Sequence, residues 1–286
     1  MVPGSFDYAA PDSLGEAIAL LRKNNKAKIL AGGQSLLNNM KLRHVMPSTL
    51  VDLQNIQALH TIEFREDKRL RLGAMATFTQ IIGDKVCQEY YPILVEALRS
   101  TPGIAIRNRS TLGGSLAQRE IGADILAVVL VLGATINVFG RQGLQSFSAD
   151  EFCTSQVPLA NDEIITSIDL PAKVVGSISA YTKFKNRATG NAICGIAANV
   201  VLTTDDTVQE CRIAATGIAE RTVRLSSIEQ MLTGKRLNKE VIATIEWTGS
   251  THELITDLVA SAEYRAYMTT VLVRRAMSQI AAQINS

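Results

Sequence analysis

Apolar residues first fall at helical spacing behind Ser13-Leu14-Gly15-Glu16, where Ala17, Ile18, Leu20 and Leu21 form one face. Ser13 and Glu16 make a capping box, so a helix starts there and ends near Asn24-Asn25. The short apolar run over 27–30 predicts a buried strand. Residues 36–43 read as a short connector with Met40 and Leu42 buried. A strand over 49–53 carries Asp52 near its end, and residues 62–64 and 70–72 predict a hairpin around the charged turn 65–69. Thr77 is placed to cap a helix over 78–85. Pro92 stands in the first turn of another over 92–99, which Thr101-Pro102-Gly103 stops. Residues 125–132 are apolar almost all round, which predicts a buried helix ended by Gly133. Strands over 135–139 and 163–171 follow, and 172–176 reads as a domain boundary.

Beyond that boundary the order of elements changes. Strand-like segments over 179–185, 193–203 and 208–216 come first. Helical segments over 225–232 and 238–245, a piece from Thr251, and 264–284 come after them. Strands followed by helices predict an α+β domain with a small antiparallel sheet.

Two glycine-rich stretches interrupt this pattern: Ala31-Gly32-Gly33-Gln34-Ser35, directly after the strand over 27–30, and Thr111-Leu112-Gly113-Gly114-Ser115-Leu116-Ala117, with Asp124 a little further on. Both read as loops. Glycine lacks a Cβ, so its backbone can approach a ligand closely, and successive N–H groups can form a concave anion site. Thr111 and Ser115 add hydroxyl groups. Two such loops suggest a ligand with more than one polar section, such as a dinucleotide. Neither stretch is a G-x-G-x-x-G or a P-loop, so neither standard nucleotide motif applies. Asp124 has two readings, a cap on the helix after it or a ligand contact. Lys183 on its predicted strand also has two, a solvent-facing lysine or a ligand contact.

At 286 residues the chain has room for two or three domains. Hydrophobic content of 47% with 20% charged residues fits a globular protein. A net charge of +2 argues against a dedicated nucleic-acid binder. Its first residues lack a basic segment before an apolar core, and no apolar run is long enough to span a bilayer. A cytoplasmic protein without membrane insertion is therefore expected. Cys87, Cys153, Cys194 and Cys211 are scattered without zinc or iron–sulfur spacing, and so are His44, His60 and His252. Buried free thiols and no metal site are the expectation. No Asp, His or Ser stands in a nucleophile motif, which argues against a hydrolase.

These residues resemble the FAD-binding medium subunit of the molybdenum hydroxylases, which include carbon monoxide dehydrogenase and bacterial xanthine dehydrogenase. The resemblance runs essentially the full length. The family pattern A-G-G-x-S-L-x-x-x-M-K-x-R matches Ala31 to Leu36 and then Met40, Lys41 and Arg43. T-I/L-G-G-S/N-x-A followed by A-D matches Thr111 to Ala117 and then Ala123-Asp124. Further matches are Glu163-Ile164-Ile165 with Pro171, Tyr181 with Lys183 and Arg187, and Gly217, Arg224, Glu229, Leu232 and Gly234. The chain departs from the family where relatives often read D-P-A-A-D. Here the residues are Glu120-Ile121-Gly122-Ala123-Asp124, preceded by Gln118-Arg119.

The resemblance implies an α+β fold. Residues 1–175 would be a two-subdomain FAD-binding domain of the PCMH or vanillyl-alcohol-oxidase type, with subdomains of about 1–55 and 56–175. Residues 176–286 would be a C-terminal α+β domain of the carbon monoxide dehydrogenase flavoprotein type. FAD would contact Ala31, Gly32, Gly33, Gln34, Ser35 and Leu36 from the first stretch, and Thr111, Gly113, Gly114 and Ser115 from the second. Asp124 would meet the polar flavin edge or ribityl, and Lys183 the carbonyl side of the ring. No residue of this chain is expected to be catalytic in its own right. Implied partners are a molybdenum-cofactor large subunit and a 2Fe-2S small subunit, and a homodimer is left open. The lack of cluster-binding cysteines fits that division of labour. Two other functions stay open: a stand-alone flavoenzyme acting on an organic substrate, and a non-catalytic assembly factor.

Overall fold

The computed structural model describes residues 2–154, 159–249 and 253–284. His252 and the start of the helical piece expected from Thr251 lie outside the described residues. Contacts divide the chain into two units. One comprises residues up to 84 with 102–118 and 135–170; the other comprises 85–101, 119–134 and 171 onward.

The first unit contains a three-stranded parallel sheet. Strand β1 (Asp7–Ala9) and strand β2 (Ala27–Leu30) both pair with the central strand β3 (Thr49–Asp52). The helix Leu14–Lys23 joins β1 to β2, with Ser13 accepting from the Glu16 N–H at 3.2 Å. Glu16 returns a bond to the Asp12 N–H, one residue before the cap, so the box closes around a slightly longer turn. Ala17, Ile18 and Leu21 are buried with Ala27 and Val51. Between β2 and β3 the expected connector is a helix, Leu36–Lys41. Met40 is buried as expected, but Leu42 is 52% exposed. Leu42 is the C-cap, and Arg43 after it has φ of 60°, so the chain turns away before the Leu42 side chain can reach the core.

A five-stranded antiparallel sheet completes this unit. Its strands are β4 (Ile62–Phe64), β5 (Leu70–Gly73), β6 (Thr135–Gly140), β7 (Gly143–Ser148) and β8 (Ile164–Leu170), in the order β4-β5-β8-β6-β7. Thr77 caps the helix Phe78–Gly83 through a complete capping box with Gln80. Three neighbouring strands are tied by polar side chains. Arg71 forks onto Asp169 at 2.7 and 2.8 Å, and the Asn137 amide donates to Asp169 at 3.0 Å.

The second unit is built on β9 (Ser177–Lys185), β10 (Ala192–Leu202), β11 (Val208–Thr216) and β12 (Val223–Arg224), an antiparallel sheet in the order β12-β11-β10-β9. The helix Ala262–Ile284 packs on β9 and β10 through Leu272, Val273, Ala276, Met277 and Ile280. Cys194, Ile196, Ala198 and Val200 face it from β10. Alternate residues of β10, such as Ala197, are buried too. Burial on both faces explains the nearly continuous apolar run of this strand, broken by Asn199. The helix Asp124–Val131 packs on β10 and β11, and Pro92–Ser100 on β9. All eight residues of Asp124–Val131 are buried, and Gly133 ends it at φ +65°. The Arg224 guanidinium forks onto Glu229, whose Oε1 also accepts the Ile213 N–H at 2.7 Å, so the family's Arg and Glu positions pin β12 and the helix Ser226–Leu232 to β11. No described helix is long and apolar enough to cross a membrane.

Candidate functional site

The first glycine segment leaves β2 at the carboxyl end of the parallel sheet. Gly33 turns the chain at φ +76°, a conformation that suits glycine. Its carbonyl accepts the first bond of the next helix, from the Leu37 N–H at 3.0 Å. Gln34 and Leu36 therefore sit in a first turn whose helical ladder has no acceptor for their N–H groups. These are donors suited to an anionic group.

The second segment is not a loop. Residues Leu112–Gln118 form a helix, and Gly113 and Gly114 lie in its first turn. Thr111, only 3% exposed, bridges to Thr77, and its Oγ1 accepts the Gly114 N–H at 3.2 Å. The Leu112 and Gly113 N–H groups donate to the Ala76 and Ala74 carbonyls at 3.0 and 2.8 Å. Backbone donors at this helix start are thus used within the protein. What the segment offers a ligand is the Ser115 hydroxyl, which is half-buried.

The glycines also let the protein pack on itself. A Cβ on Gly32 would lie 1.9 Å from the Arg109 carbonyl oxygen. One on Gly113 would lie 2.5 Å from the Ala74 Cβ, and one on Gly114 would meet Thr111 Oγ1 at 2.7 Å and the Ala31 Cβ at 3.4 Å. The glycines let the two segments and the Ala74 turn pack backbone to backbone. Segments far apart in sequence thereby form one surface. It combines backbone donors that the helical ladder does not use, a hydroxyl and very small side chains, which fits the diphosphate of FAD.

The second unit holds a polar cluster around Asp124. The Asp124 carboxylate accepts from Lys183 Nζ at 2.6 Å, Tyr181 Oη at 2.5 Å and Ser100 Oγ at 3.0 Å. Asp124 and Lys183 side chains are only 8% and 7% exposed. Tyr181 and Lys183 stand two apart on β9, so both reach the same face. The Tyr181 N–H also donates to Glu96 Oε2 at 3.2 Å. Of the two readings of Asp124, capping is not the one realised: Ala123 is the N-cap, and the Asp124 oxygens serve Tyr181, Lys183 and Ser100. Lys183 is not a solvent-facing lysine either.

Burial pushes the Asp124 carboxyl above its ordinary value, against the pull of the Lys183 ammonium and of hydrogen bonds from Lys183, Tyr181 and Ser100. Burial, then the charge of Asp124, pushes the Tyr181 phenol well above its ordinary range. Tyr181 therefore keeps its proton at neutral pH and acts as a fixed hydrogen-bond donor. Sequence reasoning named Tyr181 only as part of the family pattern with Lys183, gave it no role at the site, and missed Ser100 and Glu96. The one available signal was the two-residue spacing of Tyr181 and Lys183, which places them on one strand face.

Among the described residues no group of His, Cys, Asp and Glu could hold a metal ion. Cys87, Cys153, Cys194 and Cys211 are buried and outside any disulfide, as expected, and burial pushes the Cys194 and Cys211 thiols up to about 12.

Residues 4–173 match the model of the FAD binding domain in molybdopterin dehydrogenase, and residues 179–280 match the CO dehydrogenase flavoprotein C-terminal domain. The chain is 34% identical to a carbon monoxide dehydrogenase medium chain from Hydrogenophaga pseudoflava, covering 97% of this chain and 98% of that one. It is 33% identical to a nicotine 6-hydroxylase medium subunit from Paenarthrobacter nicotinovorans, covering 96% and 97%. Quinoline 2-oxidoreductase from Pseudomonas putida 86 contains a chain of the same fold, with a TM-score of 0.90, 30% identity and 99% of each chain covered.

Proposed function

The chain belongs to the family of FAD-binding medium subunits of molybdopterin dehydrogenases, and from that premise we propose that it is the electron-transferring flavoprotein subunit of a molybdenum hydroxylase. Its partners are a large subunit carrying the molybdenum cofactor and a small 2Fe-2S subunit. The large subunit oxidises the substrate, and electrons reach this chain through the small one. The complex works in the cytoplasm. Residues 1–175 form the FAD-binding domain, in subdomains of about 1–55 and 56–175, and 176–286 the C-terminal domain.

FAD, when bound, supplies a centre that exchanges electrons singly or in pairs. The chain's residues bind and tune it. Residues 31–36 hold the diphosphate through backbone donors beside Gly32 and Gly33, and Thr111, Gly113, Gly114 and Ser115 close the other side. Asp124 and Lys183 serve the polar edge of the flavin. Tyr181 and Ser100 orient the Asp124 carboxylate, which in turn fixes the Lys183 ammonium. A lysine already neutralised by a carboxylate adds less positive potential than a free one. The pair therefore orders the site more than it charges it.

The observation that carries this reading is the close packing of the two glycine segments, Gly32 against the Arg109 carbonyl and Gly114 against Ala31. Purification from the native host through a tag on this chain tests it. Molybdenum, iron and FAD are expected together with a large and a small subunit. Recovery of the chain alone, with flavin but without either metal, would favour a stand-alone flavoenzyme instead.

A further inference from the structure

Tyr8 is a residue of β1 that the diphosphate site does not use. It is 55% exposed, while its hydroxyl donates to Asp52 Oδ2 at 2.8 Å. Asp52 is only 4% exposed, and its Oδ1 accepts the Gln54 N–H at 2.9 Å. The backbone therefore holds the carboxylate, and the carboxylate holds the ring. The result is an open aromatic face that cannot swing freely.

Its position gives that face a purpose. Strands β1, β2 and β3 are all parallel, so their carboxyl ends lie on one side of the sheet. Asp52 ends β3, and residues 31–35 leave the end of β2. Ligands of open sheets of parallel strands bind beyond those ends. Arg109 reaches the same place from another segment: its carbonyl lies where a Cβ of Gly32 would sit, its side chain is exposed, and its charge acts on the Tyr8 hydroxyl. A rigid exposed ring offers stacking area at little entropic cost. A guanidinium beside it can stack or pair with a phosphate. Both oxygens of Asp52 are already engaged, so the surroundings offer few groups to read the polar edge of a flavin. A purine ring demands less of them.

We propose that Tyr8 is the stacking platform for the adenine ring of the cofactor, with Arg109 beside it, so that the carboxyl end of the parallel sheet takes the adenosine half. The proposal rests on the FAD assignment above. It makes Tyr8 a determinant of FAD over FMN, which shares the flavin and one phosphate but has no adenosine.

The test titrates FAD and FMN separately into flavin-free wild type, Tyr8→Ala and Tyr8→Phe, following flavin fluorescence. Tyr8→Ala should weaken FAD binding about tenfold or more and leave FMN binding unchanged. Tyr8→Phe keeps the ring and should lose much less. Wild-type affinity for FAD in Tyr8→Ala, or equal losses for FAD and FMN, would overturn the proposal. A wild-type chain that binds FMN but not FAD would also overturn it, whereas one that binds no flavin at all overturns the FAD assignment itself. A second variant does not depend on Tyr8→Ala folding. Tyr8→Trp should show fluorescence quenching on addition of ADP beyond that of the wild type, where Trp247 alone reports. No added quenching at saturating ADP contradicts a base stacked on this position.

Discussion

Gly32 and Gly15 are both glycines near a helix start, yet a methyl group has opposite consequences at the two. At Gly32 the new Cβ meets the Arg109 backbone, which has no rotamer with which to yield, so the two glycine segments must part. Gly32→Ala should cost about 3 kcal/mol or more and weaken flavin uptake. At Gly15 nothing lies within 4 Å, so Gly15→Ala should be neutral or stabilise by about 0.5 kcal/mol. Urea midpoints at unchanged slope measure both. Lys183 and Asp124 make a second contrast. Lys183→Met leaves a buried carboxylate without its cation and should cost about 3 kcal/mol. The double variant Asp124→Asn/Lys183→Met removes both charges and should recover much of that loss. At this scale the sequence disclosed which residues matter and was silent on how. Glycine tolerates a tight approach to a ligand or to protein equally well, and only the three-dimensional neighbours of Gly32 and Gly113 decide between them.

Among the elements, the tie across β5, β8 and β6 sets a pH dependence. Burial raises the Asp169 carboxyl, but the Arg71 fork and the Asn137 amide outweigh it and hold it below the ordinary carboxylate value. A depressed folded value stabilises the fold above the unfolded pKa of about 3.9, and this is lost as pH falls through the folded value. Asp169→Asn should therefore cost about 1–3 kcal/mol at pH 7, and the cost should shrink as pH falls below about 3.9, as measured by denaturant unfolding at each pH. Strongly patterned elements were legible beforehand. The helix Asp124–Val131 and the strand β10 carry apolar runs that leave little choice. The segment Leu112–Gln118 reads as a loop yet is a helix, because two glycines at its start lower helix propensity and tertiary packing overrides that preference. Strand β7 escaped notice because, as an edge strand, it carries Gly143, Gln145, Ser146 and Ser148 with no buried face.

For the molecule as a whole, the sequence boundary near 175 and the division by contacts answer different questions. The first follows the change in the order of predicted elements along the chain. The second follows packing, and it assigns residues 85–101 and 119–134 to the unit built on β9 to β12. The wholly apolar helix Asp124–Val131 finds its cover on β10 and β11, which lie after the boundary. A fragment of residues 1–175 should therefore expose that helix. It is expected to bind the dye ANS strongly and to lack the near-ultraviolet circular dichroism of the full chain. A fragment with native-like spectra and no dye binding would contradict this packing argument.

FAD held by this chain's own residues underlies every step of the proposed function. Its most direct test is an absorbance spectrum of the purified full chain, with the cofactor identified after denaturation. FAD close to one per chain is expected, with no iron bound to the chain itself. A colourless protein that also fails to take up added FAD would contradict it and leave an assembly factor as the better description.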